Sequence, residues 1–196
     1  MAAVPLLLCA FTVSGCLDEM NSHRETVLRE HAEKALTYAK KHGMNTNYVI
    51  LVDYSIPSGS PRLFVWDFTA GKVGFKTHVM HGSGEGSTAE KPVFSNKIGS
   101  FCSSLGKFKV LKNRHGAKIK RSFMMEGLDS TNSNALVRGI MIHRSKWIDI
   151  WKWKRYIPLH EPSCQGCITV GSEGMNYLEK LIKAESKPLL LWSYCS

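Results

Sequence analysis

Apolar positions recur at helical spacing only near the two ends of the chain; between them the period is two. From Ser22 to His42, Val27, Leu28, Ala32, Ala35, Leu36 and Ala39 fall on one side at three- and four-residue steps, which predicts an amphipathic helix. Asn21 or Ser22 caps its start and Gly43 stops it. The period then shortens. Tyr48–Asp53 (YVILVD) is a continuous apolar run, expected to form a buried strand. Arg62–Phe68 and Val73–His81 flank Thr69-Ala70-Gly71-Lys72, a hairpin signal, after a Pro/Ser/Gly turn at 55–61. Further strands are expected at Lys107–Leu111, Ser122–Glu126, Leu136–His143, Cys167–Val170 and Pro188–Tyr194. Ser172–Ala184 reads as a short helix, capped by Ser172 and apolar at Met175, Leu178, Leu181 and Ile182. Many short strands punctuated by turns predict a mainly β fold, a sandwich or barrel-like sheet with an N-terminal helix and one short C-terminal helix.

The first residues follow a different pattern. Ala2 to Val13 is apolar and uncharged and ends in Val13-Ser14-Gly15-Cys16. It is too short to span a bilayer as a mature helix. Small residues before a cut suit a signal peptidase, and Val-Ser-Gly-Cys resembles a bacterial lipobox with Cys16 as the lipidated residue. No Lys or Arg precedes the apolar run, so a buried N-terminal segment is the alternative. The chain divides accordingly into 1–16 (signal peptide or lipobox), 17–47 (a tether at Asp18 to Ser22, then the N-terminal helix) and one domain over 48–196.

At 196 residues and 43% hydrophobic content, the chain can bury a core without disulfides. Its formal net charge of +10 favours anionic partners: nucleic acid, an anionic membrane or an envelope polymer. No nucleic-acid module motif is present. The glycine-rich stretch Gly82 to Thr88 lacks the G-K-[ST] of a phosphate cradle. Beyond Cys16 stand Cys102, Cys164, Cys167 and Cys195, for which three disulfide connectivities exist.

The candidate chemistry lies between Ile142-His143 and Cys164-Gln165-Gly166-Cys167. A glycine before a cysteine permits close approach of substrate and backbone, and neighbouring amides suit an oxyanion. A nearby imidazole activates a thiol. His143 is the better base; His160 sits in a proline-flanked loop. Three other readings stay open on the residues alone: a buried structural cysteine, a C-x-x-C redox or disulfide pair, and zinc held by Cys164, Cys167, His143 and His160.

These residues resemble the murein L,D-transpeptidase catalytic domain family, of the YkuD-like β-sandwich type. The family pairs an Ile-His strand with [S/T]-x-G-C a loop later. Here the counterparts are Ile142-His143 and Cys164-Gln165-Gly166-Cys167, preceded in order by His81-Gly82, Phe94-Ser95-Asn96, Ser103-Ser104-Leu105-Gly106, Gly127-Leu128, Asn132, Asn134-Ala135 and Arg138. The resemblance covers roughly Tyr48 to Val170. It implies a cysteine enzyme of the bacterial cell wall acting on peptidoglycan stem peptides. Cys167 would be its nucleophile and His143 its base, with Gly166, Cys164 and Ser163 supporting the oxyanion turn and His81, Arg138 and Trp151 as candidates for the substrate pocket. It implies no cofactor, no metal and no nucleic acid, membrane contact only through the N-terminal anchor, and a place in the periplasm or cell envelope. A catalytically silent wall-binding module is the runner-up.

The chain departs from the pattern in three places. Cys164 replaces the usual Ser or Thr, Arg144 replaces the Gly after the histidine, and the His–Cys gap is long, filled by a segment with Trp147, Trp151 and Trp153 among basic residues. A Cys164–Cys167 disulfide would mask the nucleophile, so a redox gate is one expectation. The Trp-rich segment is expected either to cap the site and attract an anionic wall polymer, or to pack as a surface hairpin with solvated lysines.

Overall fold

The computed structural model describes residues 8–119, 121–159 and 164–195, with side chains from Ser22 onward. The elements run α1 (Leu8–Lys41), β1 (Tyr48–Asp53), β2 (Leu63–Asp67), β3 (Lys72–Thr77), β4 (Val79–Met80), β5 (Gly106–Val110), β6 (Ser122–Gly127), β7 (Met141–Arg144), α2 (Lys146–Trp151), β8 (Ile168–Val170), α3 (Ser172–Ala184) and β9 (Leu190–Tyr194). The fold is mainly β, as expected. All nine strands form one sheet in the order β3-β2-β1-β9-β5-β6-β7-β8-β4. Its two edges, β3 and β4, are separated in the chain by His78 alone, so the sheet curls until its margins nearly meet. An almost closed sheet leaves little unpaired edge.

The continuous apolar run of β1 is explained by two-sided burial. Ile50 and Val52 point into the main core with Phe108, Phe123, Ile142 and Leu178. Val49 and Leu51 point the other way and meet Leu28, Ala32, Ala35 and Ala39 of α1. The alanine column lets α1 lie close on β1 and β9, and all three alanines are at most 2% exposed. The helix α3 closes the opposite opening of the core with Met175, Leu178 and Ile182.

Several boundaries differ from expectation. Helix α1 begins at Leu8 rather than near Ser22, so the stretch expected as a tether is helical; residues 1–7 of the leading segment lie outside the described residues. Among the described residues no helix is long and apolar enough to cross a membrane. The run Val73–His81 is two strands, one on each edge of the sheet. Helix α3 is capped by the Gly171 position and not by Ser172, whose amide instead donates to Asp149 Oδ1 at 2.9 Å.

The expected strand Leu136–His143 is a strand only from Met141. Its first half is a chain of turns: the amides of Ala135, Arg138, Gly139 and Ile140 donate to Asn132, Asn134, Leu136 and Ala135 carbonyls. Gly139 there adopts φ +70, a conformation that favours glycine. Asn132, fully buried, holds the turn by donating to the Lys107 carbonyl and accepting from the Asp129 amide. These side-chain bonds outcompete a ladder. The Trp-rich segment is likewise no hairpin but the short helix α2, started by Ser145, whose Oγ accepts from the Trp147 amide.

The close α1 contact gives a stability test. Ala35→Leu forces extra volume into a filled interface and is expected to cost about 1–3 kcal/mol by urea denaturation. Lys34→Leu, one position along on the exposed face, should stay within about 0.5 kcal/mol of the parent.

Candidate active site

Strands β7 and β8 run parallel with Ile142 opposite Ile168, His143 opposite Thr169 and Arg144 opposite Val170. Side chains alternate along a strand, so Met141 and His143 share one face of β7, and Thr169 of β8 meets His143 there. Cys167 stands just before β8, in the bend that leads into it. His143 and Cys167 are thus carried by one strand and by the turn entering its parallel neighbour. Both open onto one cavity of about 250 Å³, also lined by Ile119, Arg138, Gly139, Met141, Arg144 and Gln165. A larger groove of about 590 Å³ runs between α1 and β3, but no thiol or imidazole lines it.

The imidazole is oriented from both sides. Its Nδ1 lies 3.1 Å from the Arg144 carbonyl oxygen, an acceptor that fixes the proton on Nδ1. Nε2 is then the basic nitrogen, 3.3 Å from Thr169 Oγ1. Burial pushes the His143 pKa below the ordinary histidine value, and the bond to Arg144 opposes that only in part. His143 is therefore neutral at pH 7, as a base must be.

Cys167 is half-buried, with Sγ 3.8 Å from the Gly139 carbonyl oxygen. Burial pushes its thiol up; the Met141 amide and the Arg138 charge pull it down by less. The resting pair is thus neutral thiol and neutral imidazole. Gly166, at φ +93, forms the turn before the thiol, and a Cβ there would collide with the Cys102 carbonyl oxygen. That same carbonyl accepts from Arg138 Nη2, while Nη1 donates to Ser95 O at 2.8 Å and to Ser104 Oγ. Arg138 lines the cavity, but its terminal nitrogens are spent on lashing the loop 95–104 to the Gly166 turn.

The other residues singled out in the sequence lie elsewhere. Cys164 is buried in a small apolar cluster with Met80, Ile148 and Ile157, and its carbonyl accepts from the Ser83 amide at 2.6 Å. It does not line the cavity that Cys167 opens onto. Cys167 carries a free thiol facing the cavity, while Cys164 is turned into the apolar cluster. Ser163 and His160 lie outside the described residues. Trp151 packs on the Cys164 cluster with its indole nitrogen buried, away from the cavity lining. Cys16 belongs to α1, in the part whose side chains are not described.

His81 also stays out of the cavity. It is 1% exposed; Nδ1 accepts from the buried Arg62 Nη2 at 2.9 Å, and Nε2 donates to the Thr88 carbonyl at 2.7 Å. Arg62 further donates to Val79 O and Ile56 O and stacks on Tyr54. Desolvation, then the Arg62 charge, hold the His81 pKa at about 4. The pair fastens the start of loop 82–91 to the interior.

Sequence reasoning missed Thr169, the Arg144 carbonyl, and the Gly139 and Met141 main-chain groups. Only Thr169 carried a signal: it stands two residues after Cys167, in the strand that the thiol leads into.

A half-buried thiol in a glycine turn and a buried imidazole on β7 share one cavity, an arrangement that acyl transfer can use. The L,D-transpeptidase catalytic domain family matches residues 19–192; the chain belongs to that family. No curated protein matches the chain. Among solved structures it is similar to a mutant of the helical cell shape determining protein Pgp2 of Campylobacter jejuni, at 12% identity over 76% of this chain with a TM-score of 0.47. It is also similar to the L,D-transpeptidase of Xylanimonas cellulosilytica, at 18% identity over 81% of this chain and 68% of that one, with a TM-score of 0.41. The chain spans about half the length of the Pgp2 chain, 48%.

Two measurements probe this geometry. Because burial raises the Cys167 thiol, its alkylation by iodoacetamide, followed by peptide mapping, should keep accelerating from pH 7 into the alkaline range; a rate already maximal at pH 6.5 would mean a preformed ion pair. The His81 proton is the other. Its folded pKa lies below the ordinary 6.5, so the neutral form contributes stability fully present above pH 6.5 and lost as pH falls toward 4. Denaturant-unfolding stability should drop by about 2–3 kcal/mol across that window, and by clearly less in His81→Gln.

Proposed function

We propose that the protein is a cysteine-dependent L,D-transpeptidase acting on the tetrapeptide stems of peptidoglycan. The observation that carries this reading is the opening of His143, from β7, and Cys167, from the turn entering the parallel strand β8, onto one cavity. Family membership supplies the substrate class.

The steps follow from the site's own groups. His143 Nε2 takes the Cys167 proton as Sγ attacks the carbonyl of the third stem residue. Amides of the Gly166–Cys167 turn receive the developing oxyanion, where fixed donors in a partly buried site act most strongly. The imidazolium returns the proton to the departing D-alanine amine, leaving a thioester on Cys167. An amine on a neighbouring stem then attacks, its proton passes to His143, and the thiol is regenerated as a 3→3 cross-link forms. Water in place of the amine gives the trimmed stem and a carboxypeptidase outcome. The Arg144 carbonyl holds the imidazole in the tautomer this requires, and Arg138 acts as a positioning residue through the Gly166 turn. The protein works in the periplasm or cell envelope, with the leading segment as its export signal and Cys16 as its lipid anchor.

The test is product analysis. Reduced protein incubated with purified muropeptides should release D-alanine and yield cross-linked or trimmed products by mass. Cys167→Ala should lower turnover at least about a thousandfold while retaining substrate binding, and His143→Gln about a hundredfold or more. No turnover by the parent, with binding intact, would instead establish a silent wall-binding module.

A further inference from the structure

The segment between the two site residues has a surface that the acyl-transfer steps do not use. From 144 to 155 it carries Arg144, Lys146, Lys152, Lys154 and Arg155 against a single acid, Asp149, and Asp149 is taken up by Arg144 and Ser172. Ile148 turns inward and anchors α2. Ile150 on the helix is 44% exposed, and beyond the helix Trp153 stands 72% exposed. The Trp153 ring is not loose: its Nε1 donates to the Ile150 carbonyl at 2.9 Å, and Lys154 Nζ lies 5.6 Å from its centroid and 4.6 Å from that of Trp151. The two indoles are 6.0 Å apart at 43°. Leaving a large aromatic in water costs hydrophobic free energy, and here it is also held in one orientation. A fixed, exposed indole with one ammonium group beside it, in a segment rich in basic residues, suits a ligand with apolar C–H faces and scattered carboxylates.

We infer that this platform binds the glycan strand of peptidoglycan, with a sugar ring stacked on Trp153 and the surrounding cations facing carboxylates along the strand. The inference rests on the substrate class proposed above and adds a second contact for it. The reach fits. Cys164, three residues before Cys167, shares a cluster with Trp151, and three residues extend at most about 11 Å. The Trp151–Trp153 pair packs at the edge of that cluster, so the platform and the turn bearing the thiol are joined through one small apolar cluster. A stem whose third residue lies at Cys167 spans about 10 Å of extended peptide, and its lactyl link to the sugar adds several more. Glycan held at Trp153 would therefore place its own stem at the thiol, and this remote binding would raise the rate through positioning. An anionic membrane surface is the competing ligand for an aromatic–basic patch; the patch's proximity to the site, reached through α2 from the strand that bears His143, favours glycan.

The experiment uses the full chain with three probes: glycan strands stripped of stems by an amidase, vesicles of phosphatidylcholine with phosphatidylglycerol, and stem tetrapeptide either free or still attached to glycan. The parent should bind stripped strands, with affinity falling as salt rises. Trp153→Ala should weaken that binding roughly five- to tenfold, and the double variant Lys152→Glu, Arg155→Glu should flatten its salt dependence. In turnover, Trp153→Ala should lower kcat/KM for glycan-attached stem at least fivefold more than for free tetrapeptide. Stripped strands left unbound, equal binding by parent and Trp153→Ala, or binding to vesicles in place of strands would each overturn the inference. Turnover of free tetrapeptide by the parent tests the enzyme reading separately, so the two fail in distinguishable ways.

Discussion

The parallel pairing of β7 with β8 is the constraint on which the site depends. It sets Thr169 beside His143 and leads the turn that bears Cys167 into the same cavity. Parallel neighbours cannot be joined by a tight turn and need a long crossover. The chain between them, which includes α2 and the Trp-rich segment, supplies that crossover. The extra length that departs from the family pattern is thus placed where the topology already requires a connection. It anchors itself through Ile148, Ile157 and Cys164 around Met80 of β4, the strand that pairs with β8 on its other side. Cys164 accordingly acts as packing for the crossover, while the cysteine three residues later faces the cavity.

The rest of the fold braces that pairing. The sheet is covered by α1 on the outer face of β1 and β9 and by α3 over the core. Two arginines, Arg62 buried and Arg138 partly so, hold loops that have little regular structure of their own. Arg62 fixes His81 and the start of loop 82–91, and Arg138 fixes the loop 95–104 against Gly166. Each guanidinium satisfies several carbonyl or side-chain acceptors from one charge, the use to which a planar fork of donors is suited. A buried arginine is costly unless its donors are paired, so the loop that Arg62 holds is tied to a group that cannot lose its partners without that cost.

Much of this was legible in the sequence, and the parts that were not have a common cause. YVILVD announced a strand buried on both faces, and the alanine and leucine spacing of residues 27–39 announced the helix that covers it. Ile142-His143 and Gly166-Cys167 announced an imidazole and a thiol, which the fold brings to one cavity. What periodicity could not convey was the work of main-chain and long-range contacts. Leu136–Ile140 reads as strand by composition, yet Asn132 and Gly139 turn it. His81 reads as a site residue until Arg62, nineteen positions earlier, is seen to occupy it. The tautomer of His143 depends on a carbonyl, which side-chain identity does not encode.

The central claim is that the Cys167 thiol, with His143 as its base, becomes the acyl carrier. Intact-protein mass spectrometry of reduced protein quenched in acid shortly after mixing with a tetrapeptide stem tests it most directly. The account predicts a mass increase equal to the stem less D-alanine, mapped to Cys167, reversed by hydroxylamine and absent from Cys167→Ala. An adduct on another residue, or turnover with no thioester detected while Cys167→Ala remains active, would contradict it.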